Sequence, residues 1–97
     1  MEIRELMTSI YATQIRRGTI EDKTEIDEFV NKIKEEAGEF IEASYIVDET
    51  TGLLSECWDV IFCAMNLMSH IETDKRILEV MDYVIKKNEL RADYGVK

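Results

Sequence analysis

Residues 24–46 read TEIDEFVNKIKEEAGEFIEASYI, and this stretch decides the fold. Apolar or small residues recur in it every three or four positions, which places them on one arc of a helix with 3.6 residues per turn. The residues on this arc are Ile26, Phe29, Val30, Ile33, Ala37, Phe40, Ile41 and Ser44. The chain contains no proline to interrupt the pattern, so we predict one long amphipathic helix from Thr24 to Ile46.

The same periodicity predicts three further helices around this one. These helices are predicted at 2–17, at 53–69, and from the N-cap Thr73 to Leu90. A polar loop at 18–23 precedes the helix at 24–46, a turn at Asp48–Gly52 follows it, and a polar tail begins at Arg91. The inner stripes of the three helices are Ile3, Leu6, Met7, Ile10 and Tyr11; Leu53, Leu54, Cys57, Ile61, Ala64, Met65 and Met68; and Ile77, Leu78, Met81, Val84 and Ile85. Four amphipathic helices with short connections indicate an all-α, four-helix bundle-like fold.

Composition limits the class of protein. A chain of 97 residues is expected to form one domain, 1–97, and its 45% of hydrophobic residues is typical of a folded protein. A formal net charge of −9 repels nucleic-acid phosphates and disfavours such a partner. No apolar stretch reaches the length of about 20 residues that a membrane helix needs, and a signal-peptide pattern is missing. We expect a cytoplasmic protein in which Cys57 and Cys63 are free thiols.

Two groups of carboxylates lie beside the apolar stripes of the second and third helices. Glu35, Glu36 and Glu39 form E-E-x-x-E on the second helix, and Glu56 and Asp59 form E-x-x-D on the third. Residues three or four apart are neighbours on a helix surface. An antiparallel packing of the two helices therefore brings the two groups face to face.

Carboxylates that converge in this way repel one another unless a cation lies among them. Oxygen ligands on two rigid helices suit Mg²⁺, with Mn²⁺ as a substitute, whereas one histidine, His70, is too few for a zinc site or a di-iron bundle. An alternative stays open, because acidic residues also cover ordinary solvated helix faces, and Glu79 and Asp82 repeat E-x-x-D without an assigned role. The chain would then be a non-catalytic acidic helical interaction module.

The complete motif, E-E-x-x-E at 35–39 followed after sixteen residues by E-x-x-D at 56–59, resembles the signature of the MazG-like all-α nucleoside triphosphate pyrophosphohydrolase superfamily. The resemblance implies a MazG-like fold and an enzyme that cleaves a (d)NTP between the α- and β-phosphates to (d)NMP and pyrophosphate. It implies five catalytic carboxylates, of which Glu36, Glu39, Glu56 and Asp59 bind Mg²⁺. Glu35 matches a glutamate that binds a second ion or orients the attacking water.

The end of the chain resembles the K…N-x-x-R-x-x-Y ending of many members of this superfamily. Lys87, Asn88, Arg91 and Tyr94 occupy those positions, and the resemblance implies that they bind the substrate from a neighbouring helix or subunit. The lysine often found four positions before the asparagine is Val84 here. A simpler role stays open for the basic residues, which also complement the C-terminal end of a helix dipole.

Three polar or aromatic residues are candidates for base recognition. Gln14 is an amide on the apolar face of the first helix, and Trp58 lies between the two carboxylates of E-x-x-D. Asn66 lies on the Asp59 side of the third helix. Two of them also have an ordinary structural explanation: a core amide bonded to protein for Gln14, and packing in the core or at a subunit interface for Trp58.

Among relatives, the sequence favours the short MazG-like NTP or dNTP pyrophosphatases. The phosphoribosyl-ATP branch commonly has a histidine soon after E-x-x-D, whereas this chain continues with Val60-Ile61-Phe62-Cys63. Dimeric dUTPases are longer and carry a further acidic motif. Apolar stripes this wide on so short a chain indicate burial against another subunit. The superfamily assembles as dimers or dimers of dimers, so we expect a homodimer or homotetramer.

Overall fold

The computed structural model describes residues 2–45 and 50–95. Within these ranges the chain forms four α-helices and no strand: α1 (Ile3–Arg16), α2 (Ile26–Ala43), α3 (Thr50–Ile71) and α4 (Asp74–Asp93). The all-α prediction is confirmed. None of the described helices is long and apolar enough to cross a membrane.

The end of α1 is set by a glycine. Gly18 has a φ of 76°, a left-handed conformation that glycine adopts without steric cost. Its N–H donates to the carbonyl of Ile15 at 3.0 Å, and the N–H of Thr19 donates to the carbonyl of Gln14 at 3.1 Å. This pair of bonds is the Schellman arrangement, which satisfies the last carbonyls of the helix and turns the chain into a loop, residues 17–25.

Polar side chains start the next helices. The backbone N–H of Glu25 donates to Oε2 of Glu28 at 3.0 Å, which satisfies a free donor at the start of α2. At the start of α4, Oγ1 of Thr73 accepts from the N–H of Arg76 at 3.3 Å, so the predicted N-cap is confirmed.

Several predicted boundaries are wrong. The helix predicted from Thr24 to Ile46 begins at Ile26, after the N-cap Glu25, and ends at Ala43, before the C-cap Ser44. Thr50 to Gly52 were assigned to a turn, but they form the first turn of α3, where backbone N–H groups need no partner inside the helix and low helix propensity is tolerated. The predicted tail from Arg91 is helical as far as Asp93, since no residue favours a left-handed turn before Gly95, whose φ is 69°. The predicted positions 46, 48–49 and 96–97 lie outside the described residues.

The helices α2 and α3 pack as an antiparallel pair. Phe29 near the start of α2 lies against His70 near the end of α3, with 4.8 Å between ring centroids. About two helical turns further along α2, Glu36 meets Glu56 and Asp59, nearer the start of α3. Positions that rise along one helix therefore fall along the other, which is the geometry that the carboxylate motifs require.

The core is small and lies where α1, α3 and the start of α4 meet. Met7, Met65 and Ile77 are buried together, and Leu6, Ile10 and Phe62 pack around them. Of the stripe predicted for α4, Ile77 belongs to this core, but Met81, Val84 and Ile85 remain 40%, 39% and 46% exposed. The second half of α4 thus leads away from its own chain as an arm (residues 80–93) with an open apolar face.

Candidate active site

Three carboxylates from two helices converge on one point. Glu36 from α2 and Glu56 and Asp59 from α3 each offer an oxygen, and these oxygens lie within 4.8 Å of one another. Glu36 is only 8% exposed. A buried carboxylate loses hydration and is stable as an anion only when a cation or hydrogen-bond donors compensate it. Three carboxylates at one point, one of them buried, could hold a cation.

Two oxygen atoms of this cluster are buried and lack a hydrogen-bond partner among the described residues, as is typical of atoms that bind a ligand. They are Oε2 of Glu36 and Oε2 of Glu56. Leaving a buried polar atom unpaired is costly, and native proteins rarely do so without a reason. A hard divalent cation, which prefers carboxylate oxygens, fits this donor set. No histidine belongs to the cluster, so zinc and the di-iron alternative remain without their nitrogen ligands.

One cation from the chain itself reaches the cluster. Nζ of Lys32, one turn before Glu36 on α2, lies 3.1 Å from Oε1 of Glu36 and 3.6 Å from Oε2 of Glu35. The hydrogen bond to Glu36 raises the pKa of Lys32, so its side chain is a full ammonium ion. Glu35 is more than half exposed and lies at the rim of the site.

Glu39 joins the cluster through Glu36. A side-chain hydrogen bond with Glu36 raises the pKa of Glu39 above its usual 4.5, and the negative charge of Glu36 adds to this effect. Glu56 and Glu35 contribute in the same direction. A raised pKa indicates that Glu39 lies among other negative charges. Glu35, Glu36, Glu39 and Glu56 therefore interact electrostatically, and Asp59 lies with Glu36 and Glu56 in the oxygen cluster.

A pocket of about 550 Å³ opens beside the carboxylates. Its lining includes the carboxylates Glu36 and Asp59 and residues of α1 and of the α1–α2 loop. Its lining comprises Ile10, Gln14, Arg17, Thr19, Ile20, Thr24, Glu28, Phe29, Lys32, Glu36, Asp59, Phe62, Cys63 and Asn66. A concave space with apolar and aromatic walls and a few polar and charged groups has the form of a small-molecule site.

Two amides of the pocket are free to bind a ligand. Asn66 is 7% exposed, and its Oδ1 is buried without a partner in the described part of the chain. Gln14 accepts a hydrogen bond on Oε1 from the hydroxyl of Thr19 at 2.6 Å, which leaves its N–H groups for another acceptor. One amide thus offers an acceptor and the other a donor, a combination that suits the edge of a nucleobase.

His70 on α3 bonds to α1 and to the α1–α2 loop, both of which line the pocket. Its Nδ1 lies 2.7 Å from the hydroxyl of Tyr11, and its Nε2 lies 2.7 Å from the carbonyl of Thr24. A carbonyl can only accept, so Nε2 carries a proton and donates it to the carbonyl of Thr24. Burial, followed by the charge of Asp22, raises the pKa of Tyr11 and keeps it a phenol. The sequence offered no signal for this contact, because it joins positions 46 and 59 residues apart.

The predicted phosphate-binding residues lie elsewhere in the single chain. Lys87, Asn88 and Arg91 belong to the C-terminal part of α4 and Tyr94 is its C-cap; none of them lines the pocket. Lys87 lies 5.8 Å from the ring centre of Tyr83, one turn away on the same helix.

Trp58 also lies outside the pocket lining. Its ring packs against that of Phe62, with 5.3 Å between centroids, and 49% of the residue is exposed. It is Phe62 that faces the pocket. Cys63 faces it as well, and burial followed by the charge of Glu36 raises the pKa of its thiol, which is therefore a poor nucleophile.

Comparison with known protein families gives a match that spans most of the chain. The family described as phosphoribosyl-ATP pyrophosphohydrolase matches residues 3–88, which include both carboxylate motifs, the pocket and most of α4. Arg91 and Tyr94 lie beyond the matched residues. No curated protein and no solved structure shows significant similarity to the chain.

Proposed function

Because the chain belongs to the phosphoribosyl-ATP pyrophosphohydrolase family, we propose that it cleaves a nucleoside triphosphate between the α- and β-phosphates, in a reaction that depends on Mg²⁺. Membership makes the chain a pyrophosphohydrolase, an enzyme acting on phosphoric anhydrides, and not a non-catalytic interaction module. The family lies within the all-α superfamily that the motifs resemble. The products of the proposed reaction are a nucleoside monophosphate and pyrophosphate.

The observation that carries the proposal is the convergence of Glu36, Glu56 and Asp59 within 4.8 Å, with two buried oxygens left unpaired. These three residues, with Glu39 beside them, are the ligands we assign to Mg²⁺ or Mn²⁺. When bound, such an ion neutralises phosphate charge and activates water for in-line attack.

The remaining residues have roles that follow from their positions. Glu35, exposed at the rim, orients the attacking water and accepts its proton. Asn66 and Gln14 read the base edge, while Phe29 and Phe62 supply its apolar walls. Trp58, packed on Phe62, supports that aromatic wall from outside the pocket.

The phosphate-binding end of α4 fits a homo-oligomer. The arm of α4 has an open apolar face, and Leu54, Trp58 and Ile61 on α3 are also 43–56% exposed. Exposed apolar surface of this extent is typical of subunit interfaces. In our proposal the arm packs on a second copy as a homodimer, or a homotetramer built from dimers. Lys87, Asn88, Arg91 and Tyr94 then bind phosphates in the partner's pocket.

The test is pyrophosphate release from canonical and modified (d)NTPs, with and without Mg²⁺. Wild type is compared with Glu39→Gln and Asp59→Asn, and with Glu79→Gln as a matched control, since Glu79 belongs to the other E-x-x-D of the chain, on α4. We expect metal-dependent release that is lost in the first two variants and kept in the control. Equal activity in all four proteins, or release without a divalent ion, would refute the assignment.

Phosphoribosyl-ATP is the second candidate substrate, because the matched family carries its name. The sequence had favoured the MazG-like branch on one missing histidine, whereas the family match spans residues 3–88. The additional phosphate of this substrate needs a cation far from the carboxylates, and Arg17 at the end of α1 lines the pocket. Including phosphoribosyl-ATP in the panel decides between them. If it is the substrate, Arg17→Gln lowers its turnover and spares that of the simple triphosphates.

A further inference from the structure

Lys32 holds a position that serves two partners. Its ammonium group pairs with Glu36 and Glu35, yet the same side chain lines the pocket in which we place the substrate. The side chain is 53% exposed, so it is free to move, whereas that of Glu36 is only 11% exposed and is held by its surroundings. Lys32 is thus the mobile member of the pair.

The charges of the pocket make a change of partner necessary. Glu36 binds Lys32 through Oε1, and its Oε2 is unpaired. A divalent ion at the carboxylate cluster repels an ammonium group that stays on the same carboxylate. The triphosphate that arrives with it is strongly anionic, and the lining residues of the pocket include just two cations, Arg17 and Lys32. Of these, Lys32 lies beside Glu36.

We propose that Lys32 is a counterion that changes partner: it pairs with Glu36 in the metal-free protein and binds a substrate phosphate once Glu36 is engaged by the divalent ion. This inference rests on the proposed function, since it needs both a metal ion and a phosphate at the site. It makes Lys32 a substrate-binding residue that the sequence motifs do not include. It also predicts that Lys32 opposes metal binding when the substrate is missing.

The test compares Lys32→Gln with Lys34→Gln. Lys34 is on the same helix, is exposed, and has no salt bridge with any described residue, so its replacement removes an equal charge without the contact. The first measurement is the affinity for Mn²⁺ by calorimetry without nucleotide. The second is the affinity for inorganic tripolyphosphate at saturating Mn²⁺, which reports on phosphate binding without any contribution from the base.

Opposite shifts are the expected signature. Relative to Lys34→Gln, Lys32→Gln should bind Mn²⁺ roughly threefold more tightly, as expected for loss of a partly exposed ion pair. It should bind tripolyphosphate about tenfold more weakly, as expected for loss of a charge-assisted hydrogen bond. Lys32→Arg, which keeps the charge, should resemble wild type in its Mn²⁺ affinity.

Each other outcome has its own meaning. Equal shifts in the two glutamine variants would reduce the effect to general charge, and weaker binding of both ligands by Lys32→Gln would make Lys32 a structural residue; either result overturns the proposal. A wild-type protein that binds Mn²⁺ and releases pyrophosphate while Lys32→Gln behaves like Lys34→Gln overturns the role of Lys32 alone. A wild-type protein that binds no Mn²⁺ refutes the proposed function itself.

Discussion

Asp59 is the exposed member of the carboxylate cluster, and its charge adds to the repulsion between Glu36 and Glu56. In the metal-free protein, Asp59→Asn removes that repulsion and supplies an N–H donor near the unpaired oxygens. We expect a gain of about 0.5–1 kcal/mol in the free energy of unfolding. Wild type should instead gain stability with Mg²⁺, by about 2.7 kcal/mol at a concentration of 100 Kd, and the variant should gain far less.

Thermal unfolding with a chelator and then with Mg²⁺ measures both effects. Glu79→Gln serves again as the control, because it removes a carboxylate that lies outside the cluster. A metal-free Asp59→Asn that is less stable than wild type would mean that Asp59 forms a stabilising contact rather than a repulsive one.

Glu39 gives the cluster a dependence on pH. Its pKa is raised above 4.5, first by the hydrogen bond with Glu36. A carboxyl group with a higher pKa in the folded state contributes stability below its unfolded pKa, and this contribution is lost as the pH rises through the folded pKa. Without metal, wild type should therefore lose stability relative to Glu39→Gln as the pH rises from about 4 to about 7.

Urea unfolding of both proteins across this pH range, at equal protein concentration and with a chelator present, measures the difference. Glu36, Glu35 and Glu56 remain in both proteins, so the difference isolates Glu39. A difference in unfolding free energy that is constant with pH would exclude a raised pKa at this residue.

At the scale of the elements, the helices were predictable where the signal is local. Periodicity gave α1 to within one or two residues, and the hydroxyl of Thr73 marked the start of α4. The errors fell at helix ends, and one of them concerns weak helix formers. Thr50 and Gly52 have a low propensity, but the first turn of a helix tolerates it, and a sequence pattern does not distinguish that turn from a loop.

The α1–α2 loop depends on one side chain from α3. His70 bonds to Tyr11 and to the carbonyl of Thr24, and its ring lies against Phe29. His70→Ala removes both bonds and should cost about 2 kcal/mol of stability, whereas Tyr11→Phe should cost about 1 kcal/mol. Since Thr19, Ile20 and Thr24 line the pocket, we expect KM to rise in both variants while the Mn²⁺ affinity stays that of wild type.

A double-mutant cycle distinguishes this coupling from two independent losses. Tyr11 acts on the loop through His70, so the KM of the double variant should be no higher than that of His70→Ala alone. Effects on KM that multiply would contradict a role of Tyr11 that acts through His70. A fall in Mn²⁺ affinity would place the disturbance at the carboxylates instead of the loop.

At the scale of the molecule, the metal motif was predictable and the surroundings of the site were not. The proximity of Glu36, Glu56 and Asp59 could be predicted because helical spacing and antiparallel packing are sufficient to produce it. His70 acquires its role only where distant segments meet, and helical spacing does not encode such contacts. Lys32 pairs with Glu36 on the same helix, but its place in the pocket depends on how the other elements pack against α2. Lys32 lies in α2, on a face whose polar residues predict only exposure to solvent.

Assembly is the prediction that belongs to the whole molecule. Met81→Glu places a charge on the open apolar face of α4 and should dissociate the proposed homo-oligomer, because burying an unpaired carboxylate in an apolar interface is costly. Lys75→Glu changes charge in the first turn of the same helix and should leave assembly intact. Sedimentation at micromolar concentration measures both. A monomeric wild type would refute the assembly and the assignment of Lys87 and Arg91 to a partner's pocket.

The α4 arm also links catalysis to protein abundance. If Lys87 and Arg91 act only in another copy, an isolated chain lacks part of its phosphate-binding set, and the number of complete sites rises with the square of concentration when pairing is incomplete. Specific activity should then fall on dilution and recover on concentration. In a cell, the activity of the enzyme would then rise more steeply than the amount of protein.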